Sequence, residues 1–442
     1  MEAIELYAPD GLGSGRQPGL GPRGRRGRRA VRYVLGLMAG TSGDGIDAAC
    51  VRIQGRGVDM DVRLVLHHHQ PFPPGLRRRL AAVMAPAQTT TQEIACLHAA
   101  LGEAFAQAAQ DAIRKLPRIH RPSLIGLAGQ TVCHLPSRRS GGTVTFQLGD
   151  PARVAARTGL AVVGDFRQSD VAAGGQGAPL VPWTDWVLLR HRAINRIVQN
   201  IGGIGNLTWL PAGGGPKDVV AFDTGPGNMV IDALVAVATG GRQQMDRDGH
   251  RAARGRALPD VLRAWLRHPF LARKWPKSTG REVFGTPFVE AELPRLMRAS
   301  PRPDDWIATA TAFTARSIAR SCLALLKASD GGRRSGRFRR SRPAGTGAKG
   351  APATGRHEEA SELIVCGGGA KNPILTGLLA TLLPGVAVRT IDCLGIPAQA
   401  KEAVSFAMLA AACVDAVPAN LPQVTGAKRS AVLGHVTPAP AR

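Results

Sequence analysis

Three glycine-rich segments define the chemistry this chain can offer. They are Gly40-Thr41-Ser42-Gly43-Asp44-Gly45-Ile46-Asp47, Gly202-Gly203-Ile204-Gly205-Asn206 and Gly367-Gly368-Gly369. A polyphosphate needs several backbone N–H groups that can approach closely, and glycine turns and helix N-termini expose them. None of the three matches G-x-x-x-x-G-K-[ST], and none is a G-x-G-x-x-G followed by a ribose-binding acid, so Walker-type and dinucleotide readings are both weak. One Gly-Gly turn alone is more often structural; three at strand ends, in two matching halves, favour a phosphate ligand. Asp44 and Asp47 suit a water-mediated approach to Mg²⁺, or else they only close a tight turn.

Asp223 is the carboxylate to single out. It ends an apolar run and precedes Thr224-Gly225-Pro226-Gly227-Asn228, a group of turn formers that can open a cleft. There it could serve as general base on a hydroxyl or a water, or it could cap the helix that starts near Met229. Asp165-Phe166-Arg167 through Asp170 and on to Pro179 reads as a long polar loop; Arg167 in it binds a carboxylate or pairs with Asp165 or Asp170. His134 reads as a structural residue. His67-His68-His69, with no carboxylate beside it in sequence, reads as a solvated strand end.

The elements that must position these groups alternate between strand and helix. Tyr33–Ala39 and Ala48–Ile53 read as strands around the first glycine turn, and Arg196–Ile201 and Leu207–Leu210 repeat the unit about 160 residues later. Such a duplication implies two similar halves. Strands at Leu124–Gly129, Ala161–Gly164, Val219–Phe222 and Leu363–Cys366, with helices at Gln92–Lys115, Met229–Ala238 and Ile374–Leu383, make the chain α/β with mixed sheets.

Composition narrows the class. The chain has 442 residues, 44% hydrophobic and 20% charged, enough for two domains with large cores. No apolar run approaches the ~20 residues that span a bilayer, and the N-terminus lacks an apolar signal region. Seven scattered cysteines without a C-x-x-C pair argue against a zinc site or disulfide scaffold and for a reducing cytoplasm. The net charge of +25 is uneven: residues 1–30 carry +3 and residues 329–357 carry +7, both Gly/Pro/Ser/Arg-rich and expected to be disordered, which leaves +15 on the rest. Nucleic-acid binding through phosphates is one reading of that bias. Two tyrosines and few other aromatics leave little for base stacking, so solvated charge and anionic small substrates are the better account.

Taken together, the segments resemble the anhydro-N-acetylmuramic acid kinase family. The resemblance rests on Gly40–Asp47, Gly129-Gln130-Thr131 with His134, Asp165–Arg167 through Gly177–Pro182, and Asn200–Asn206. It continues in Phe222–Asn228, Lys277-Ser278-Thr279-Gly280-Arg281-Glu282, Val365–Gly369 and Glu402, all in order. It implies an α/β, two-domain actin/hexokinase/Hsp70-like fold with ribonuclease H-like halves and an interdomain ATP cleft. The domains are then 31–190 and 191–442, after a basic arm at 1–30, with the insert at 329–357 and a C-terminal segment that packs back on the first domain. It implies a kinase that opens the 1,6-anhydro ring of the muramic acid with water and phosphorylates O6, using ATP with Mg²⁺, in peptidoglycan recycling. Asp223 is then the base. Gly40, Thr41, Ser42, Gly43, Asp44, Gly45, Ile46, Asp47, Gly202, Gly203, Gly367, Gly368 and Gly369 hold nucleotide, and Arg167, Ser278, Thr279 and Glu402 meet the sugar; no protein metal ligand is assigned. Three positions depart from the family pattern: Gly43 in place of an apolar residue, Ala128 in place of His, and Cys133 in place of Arg or an aromatic. Partners are small molecules, with neither membrane nor nucleic acid expected and a homodimer left open. The alternatives are another sugar kinase of this fold, or nucleic-acid binding through the Arg-rich segments.

Overall fold

The computed structural model describes residues 30–40, 43–84, 88–135, 142–334 (backbone only from 330) and 360–441. The basic arm at 1–29 and the insert from 335 to 357 lie outside the described residues, as do Thr41 and Ser42. Among the described residues no helix is long and apolar enough to cross a membrane.

Two sheets organise the chain. The first holds β1 (Val31–Ala39), β2 (Gly45–Gln54), β3 (Asp61–Pro71), β4 (Leu124–Leu135), β5 (Val144–Leu148) and β6 (Ala161–Gly164), together with β12 (His435–Thr437) from the far end of the chain. The second holds β7 (Asn195–Ile201), β8 (Ile204–Leu210), β9 (Val220–Pro226), β10 (Ser361–Cys366) and β11 (Val386–Thr390). In the first, β3, β2 and β1 form an antiparallel meander, and β4 and β6 follow β1 in parallel. In the second, β9, β8 and β7 form the meander, and β10 and β11 follow β7 in parallel. The same order in both is the duplicated α/β architecture of the actin/hexokinase type. β5 and β12 are additions to the first copy.

The helices behave as their patterns require. Thr91–Arg114 starts where the Thr90 hydroxyl accepts from the Glu93 N–H (3.1 Å), and it buries Leu97, Leu101, Phe105 and Ala108 on one face. Lys401–Val414 is buried nearly all round, from Ala403 to Ala412 without a break. It lies against β1 and β4, and its core joins residues of both sheets, among them Val34, Val198 and Ile364. The approach is close because Gly36 and Gly126 face it: a Cβ on either would strike the carbonyl oxygen of Ala403 or Phe406.

Two expectations need correction. The segment after Asp165 is not a loop: Phe166–Ala172 is helical, with Phe166 and Asp170 buried. The helix Pro303–Arg334 also runs into the expected insert, since adding a residue to an existing helix gains a hydrogen bond without a new nucleus.

Candidate active site

Asp223 reaches the site on β9, opposite Asn206 of β8. Its backbone N–H donates to the Lys277 carbonyl (3.0 Å), and its Oδ2 accepts from the Ser278 hydroxyl and the Thr279 N–H, both at 2.8 Å. Trp275 anchors this crossing segment by stacking on Phe222, with centroids 5.3 Å apart and planes 7° apart. Both of these donors go to Oδ2. Burial pushes the Asp223 carboxyl up, against the opposing pull of Thr279, Ser278 and Lys277. A capping role is not what its geometry describes. The helix Met229–Ala238 begins at Asn228, and the Asp223 carboxylate bonds elsewhere.

The second sheet's glycine segments meet at its strand ends. The Gly202 carbonyl accepts from Asn228 N–H (2.7 Å), and the Gly203 carbonyl accepts from Gly227 (2.9 Å) and Met229 (3.1 Å). This clamps the β7–β8 turn to the start of the next helix. Gly367 follows β10 with φ +77°, and a Cβ there would strike Asn200 Oδ1; one on Gly369 would strike the Ile201 side chain. Gly367–Gly369 therefore lies directly on the end of β7, with Gly368 at its crest.

The first-sheet turn is built differently. Gly43 N–H donates to the Gly40 carbonyl (3.1 Å), which also accepts from Gln130 Nε2 (3.1 Å). Gln130 is fully buried, and its Oε1 has no hydrogen-bond partner among the described residues. Gly43 sits at φ +61°, a conformation that penalises any side chain, so its departure from the family pattern suits the turn. Gly45 begins β2 under the β3 backbone, and its Cβ would lie 2.5 Å from the Gln70 carbonyl. Ile46, grouped with the turn by sequence, is a core side chain with no exposure and presents only backbone. Asp44 is exposed, and Asp47 half-buried.

His67 and His69 correct the reading of a solvated strand end. They sit on β3 facing β2, and Asp47 Oδ1 meets His67 Nε2 at 2.8 Å and His69 Nδ1 at 3.1 Å. Residues two apart on a strand share a face, so both rings reach the same carboxylate. His68 points the other way, toward Lys115 (3.0 Å). Among the described residues no three His, Cys, Asp or Glu side chains form a metal cage. Mg²⁺ carried on a nucleotide keeps waters and takes one or two carboxylates, which Asp44 and Asp47 match in type and number.

Glu402, at the start of the helix Lys401–Val414, joins the two sheets. Its Oε1 accepts from Asn200 Nδ2 at the end of β7 (3.3 Å). Burial raises its carboxyl, Lys401 and Arg167 oppose that rise, and Asp47 adds to it. Arg167, buried enough to lose some of its ordinary basicity, gets part of it back from Glu402. Neither neighbouring aspartate pairs with it in an ion pair. His134 stands beside Arg167, with Nδ1 3.2 Å from the Thr145 hydroxyl, and burial and then Arg167 push it down to about 4, so the ring is neutral. Asp170 is a different kind of carboxylate. Fully buried, it accepts from Gly177 N–H (2.8 Å), Asn420 Nδ2 (2.7 Å) and the Thr425 hydroxyl (2.7 Å), and so ties the C-terminal segment to the first lobe.

The structure thus gathers Asp223 with Ser278 and Thr279, Gly202–Gly203 with Gly367–Gly369, and Glu402 with Arg167 and Asp47. Sequence reasoning missed the Asp47 histidines, the Ser278 bond to Asp223, Gln130 and Lys401. Alternate histidines opposite a strand aspartate are a signal only once register is known.

The family model of anhydro-N-acetylmuramic acid kinase matches residues 32–332 and 351–439. Anhydro-N-acetylmuramic acid kinase of Caldanaerobacter subterraneus subsp. tengcongensis is 39% identical over 411 residues, covering 92% of this chain and 97% of that protein. The Salinibacter ruber protein of the same name is 40% identical over 417 residues, covering 93% and 97%. The solved activator of 2-hydroxyisocaproyl-CoA dehydratase from Clostridium difficile, with bound ADPNP, overlaps more loosely. Its TM-score is 0.38 at 12% identity, covering 86% of this chain and 94% of that one, and the fold is read from the strand orders above.

Proposed function

The chain belongs to the anhydro-N-acetylmuramic acid kinase family, and from that premise we propose how its own residues perform the reaction. The substrate is 1,6-anhydro-N-acetylmuramic acid, and the products are N-acetylmuramic acid 6-phosphate and ADP, as peptidoglycan recycling requires. Asp223 takes a proton from a water that attacks C1. The C1–O6 bond breaks, O6 attacks the γ-phosphorus of ATP, and the bond to the ADP oxygen breaks in turn. One carboxylate suffices because positioning and charge neutralisation supply most of the barrier reduction in phosphoryl transfer.

The observation that carries this reading is the geometry of Asp223. Both of its protein donors bind Oδ2, and burial lifts its basicity beside the glycine turns. Ser278 and Thr279, expected to meet the sugar, also orient this base, and the buried Thr279 Oγ1, which has no partner among the described residues, can still meet substrate. Gly40–Asp47 and the clamped Gly202–Gly203 and Gly367–Gly369 segments hold the phosphates from opposite lobes. Mg²⁺, when bound with the nucleotide, neutralises phosphate charge, and Asp44 and Asp47 are the carboxylates that would face it. Arg167, which has no ion pair among the described residues, takes the sugar's carboxylate, and Glu402 takes a hydroxyl or amide donor. The lobes 31–190 and 191–442 would close on the cleft, in a cytoplasmic enzyme for which a homodimer is one assembly to test.

A coupled ADP-release assay decides the substrate: turnover with the anhydro-sugar and not with ordinary hexoses is expected. In ¹⁸O-water the label should appear on C1 and none in the transferred phosphate. Label in phosphate would mean that ATP is hydrolysed separately and that the coupled route is wrong.

A further inference from the structure

The segment that crosses Asp223 has a clasp of its own. Lys277 gives its backbone carbonyl to the Asp223 N–H (3.0 Å), and the next two residues supply the donors to Oδ2. Its side chain reaches back along the chain to the helix Pro269–Ala272. There the Lys277 Nζ stands 4.7 Å from the centre of the Phe270 ring, and 5.8 Å from that of Phe222. It also donates to the carbonyls of Phe270 (3.4 Å) and Leu271 (3.5 Å). Carbonyls at a helix end lack intrahelical partners and favour a cation.

That helix is itself fixed on β9. Phe270 and Leu271 are buried in the core of the second lobe. A Cβ on Gly225, two residues beyond Asp223, would come within 3.1 Å of the Leu271 side chain. A circuit therefore closes: from β9 to the helix, through the ammonium to the crossing segment, and back to Asp223 on β9. Lys277 sits in this segment between the Trp275 stack on Phe222 and the two donors, Ser278 and Thr279. Its charge has a cost, since burial and the facing cations Arg320 and Arg273 work against it, while Asp223 works for it. A neutral side chain of the same reach would avoid that cost but would leave both helix-end carbonyls without this donor.

We propose that Lys277 is a positioning residue for the base: its ammonium ties the crossing segment to the helix Pro269–Ala272, and so keeps the Ser278 hydroxyl and the Thr279 N–H on Asp223 Oδ2. This rests on the reading of Asp223 as the base. The test uses the full chain as Lys277→Met, which keeps the reach and loses the ammonium, beside Ser278→Ala and the two together. Amide hydrogen exchange at Asp223 and Thr279 reports on the clasp without any turnover.

In Lys277→Met both amides should exchange about tenfold faster, the scale of a lost cation–π contact with its hydrogen bonds, while the core strands keep their protection. By the same loss kcat should fall about tenfold with KM for ATP unchanged. Lys277→Met should cost less in the Ser278→Ala protein than in wild type, because one of the two bonds that the clasp maintains is already gone. Unchanged exchange at both amides overturns the proposal, and so do penalties that simply multiply. A Lys277→Met protein that does not fold overturns it too, since the side chain would then serve the fold itself. If Asp223→Asn turns over like wild type, the reading of the base fails separately, and the exchange of the two amides in Lys277→Met still reports on the clasp.

Discussion

The two sheets repeat one strand order, yet their β1–β2 and β7–β8 turns are held in different ways. Between β7 and β8 the carbonyls of Gly202 and Gly203 are taken by three N–H groups of the following segment, and Gly227 packs so closely that a Cβ would strike the Gly202 oxygen. Between β1 and β2, among the described residues, a Cβ on Gly43 would meet Leu80 Cδ2 at an ordinary 3.5 Å contact. The first turn instead carries the charge, Asp44 and Asp47, with Asp47 steadied from β3 by two histidines. A duplicated scaffold has thus divided its labour. On the proposed reading, the second sheet's clamped turn holds phosphate beside the base Asp223, and the first turn brings the carboxylates Asp44 and Asp47.

Removing the base tests that division most severely. Asp223→Asn keeps size and hydrogen-bonding reach but not the proton acceptor, so turnover should fall ~10²-fold or more while nucleotide binding, measured by calorimetry, survives. Because Asp223 must be ionised to act and burial raises its carboxyl, wild-type kcat/KM should decline on acidification at a pH above the ordinary aspartate value of about 3.9. Turnover within a few-fold of wild type would reduce Asp223 to a structural carboxylate.

The glycines compare the two turns directly. Gly227→Ala must displace backbone, and a loss of ~3 kcal/mol or more in urea unfolding is expected. Gly43→Ala makes an ordinary contact with Leu80 and is expected to cost chiefly its left-handed backbone, about 1–2 kcal/mol. Equal losses would erase the contrast between the two turns.

A smaller effect is expected from His67→Ala combined with His69→Ala. With Asp47 no longer steadied, KM for Mg-ATP should rise about tenfold, the scale of one hydrogen bond to a charged group, while KM for the sugar and the melting temperature hold. An unchanged nucleotide KM would make the histidines mere edge residues. The least effect belongs to residues 335–357. A short Gly/Ser linker in their place should leave melting and turnover unaltered, given a closure cost of roughly 0.6 kcal/mol per doubling of loop length. Folded protein without sugar turnover would require that segment to reach the cleft.

What could be read from the sequence by itself was local. Apolar runs on either side of a glycine turn specify strand–turn–strand within some twenty residues, and their recurrence at Arg196 announced the second lobe. Asp223 stood out as a carboxylate between an apolar run and a string of turn formers, although β9 runs on through Pro226 and places it inside the strand rather than at its end. The tertiary structure alone decided which distant groups meet. His67 and His69 reach Asp47 only through the β2–β3 register, and a slip of one residue would turn both rings to the other face. Asp170, polar in sequence and apparently part of a loop, becomes a saturated anchor because Asn420 and Thr425 return to it. Arg167 and Glu402, more than half the chain apart, share a field because Gly36 and Gly126 admit the helix Lys401–Val414 against the first sheet. Turn and strand preferences are properties of neighbouring residues. The partner and the dielectric surroundings of a charge are properties of packing, and no short window of sequence contains them.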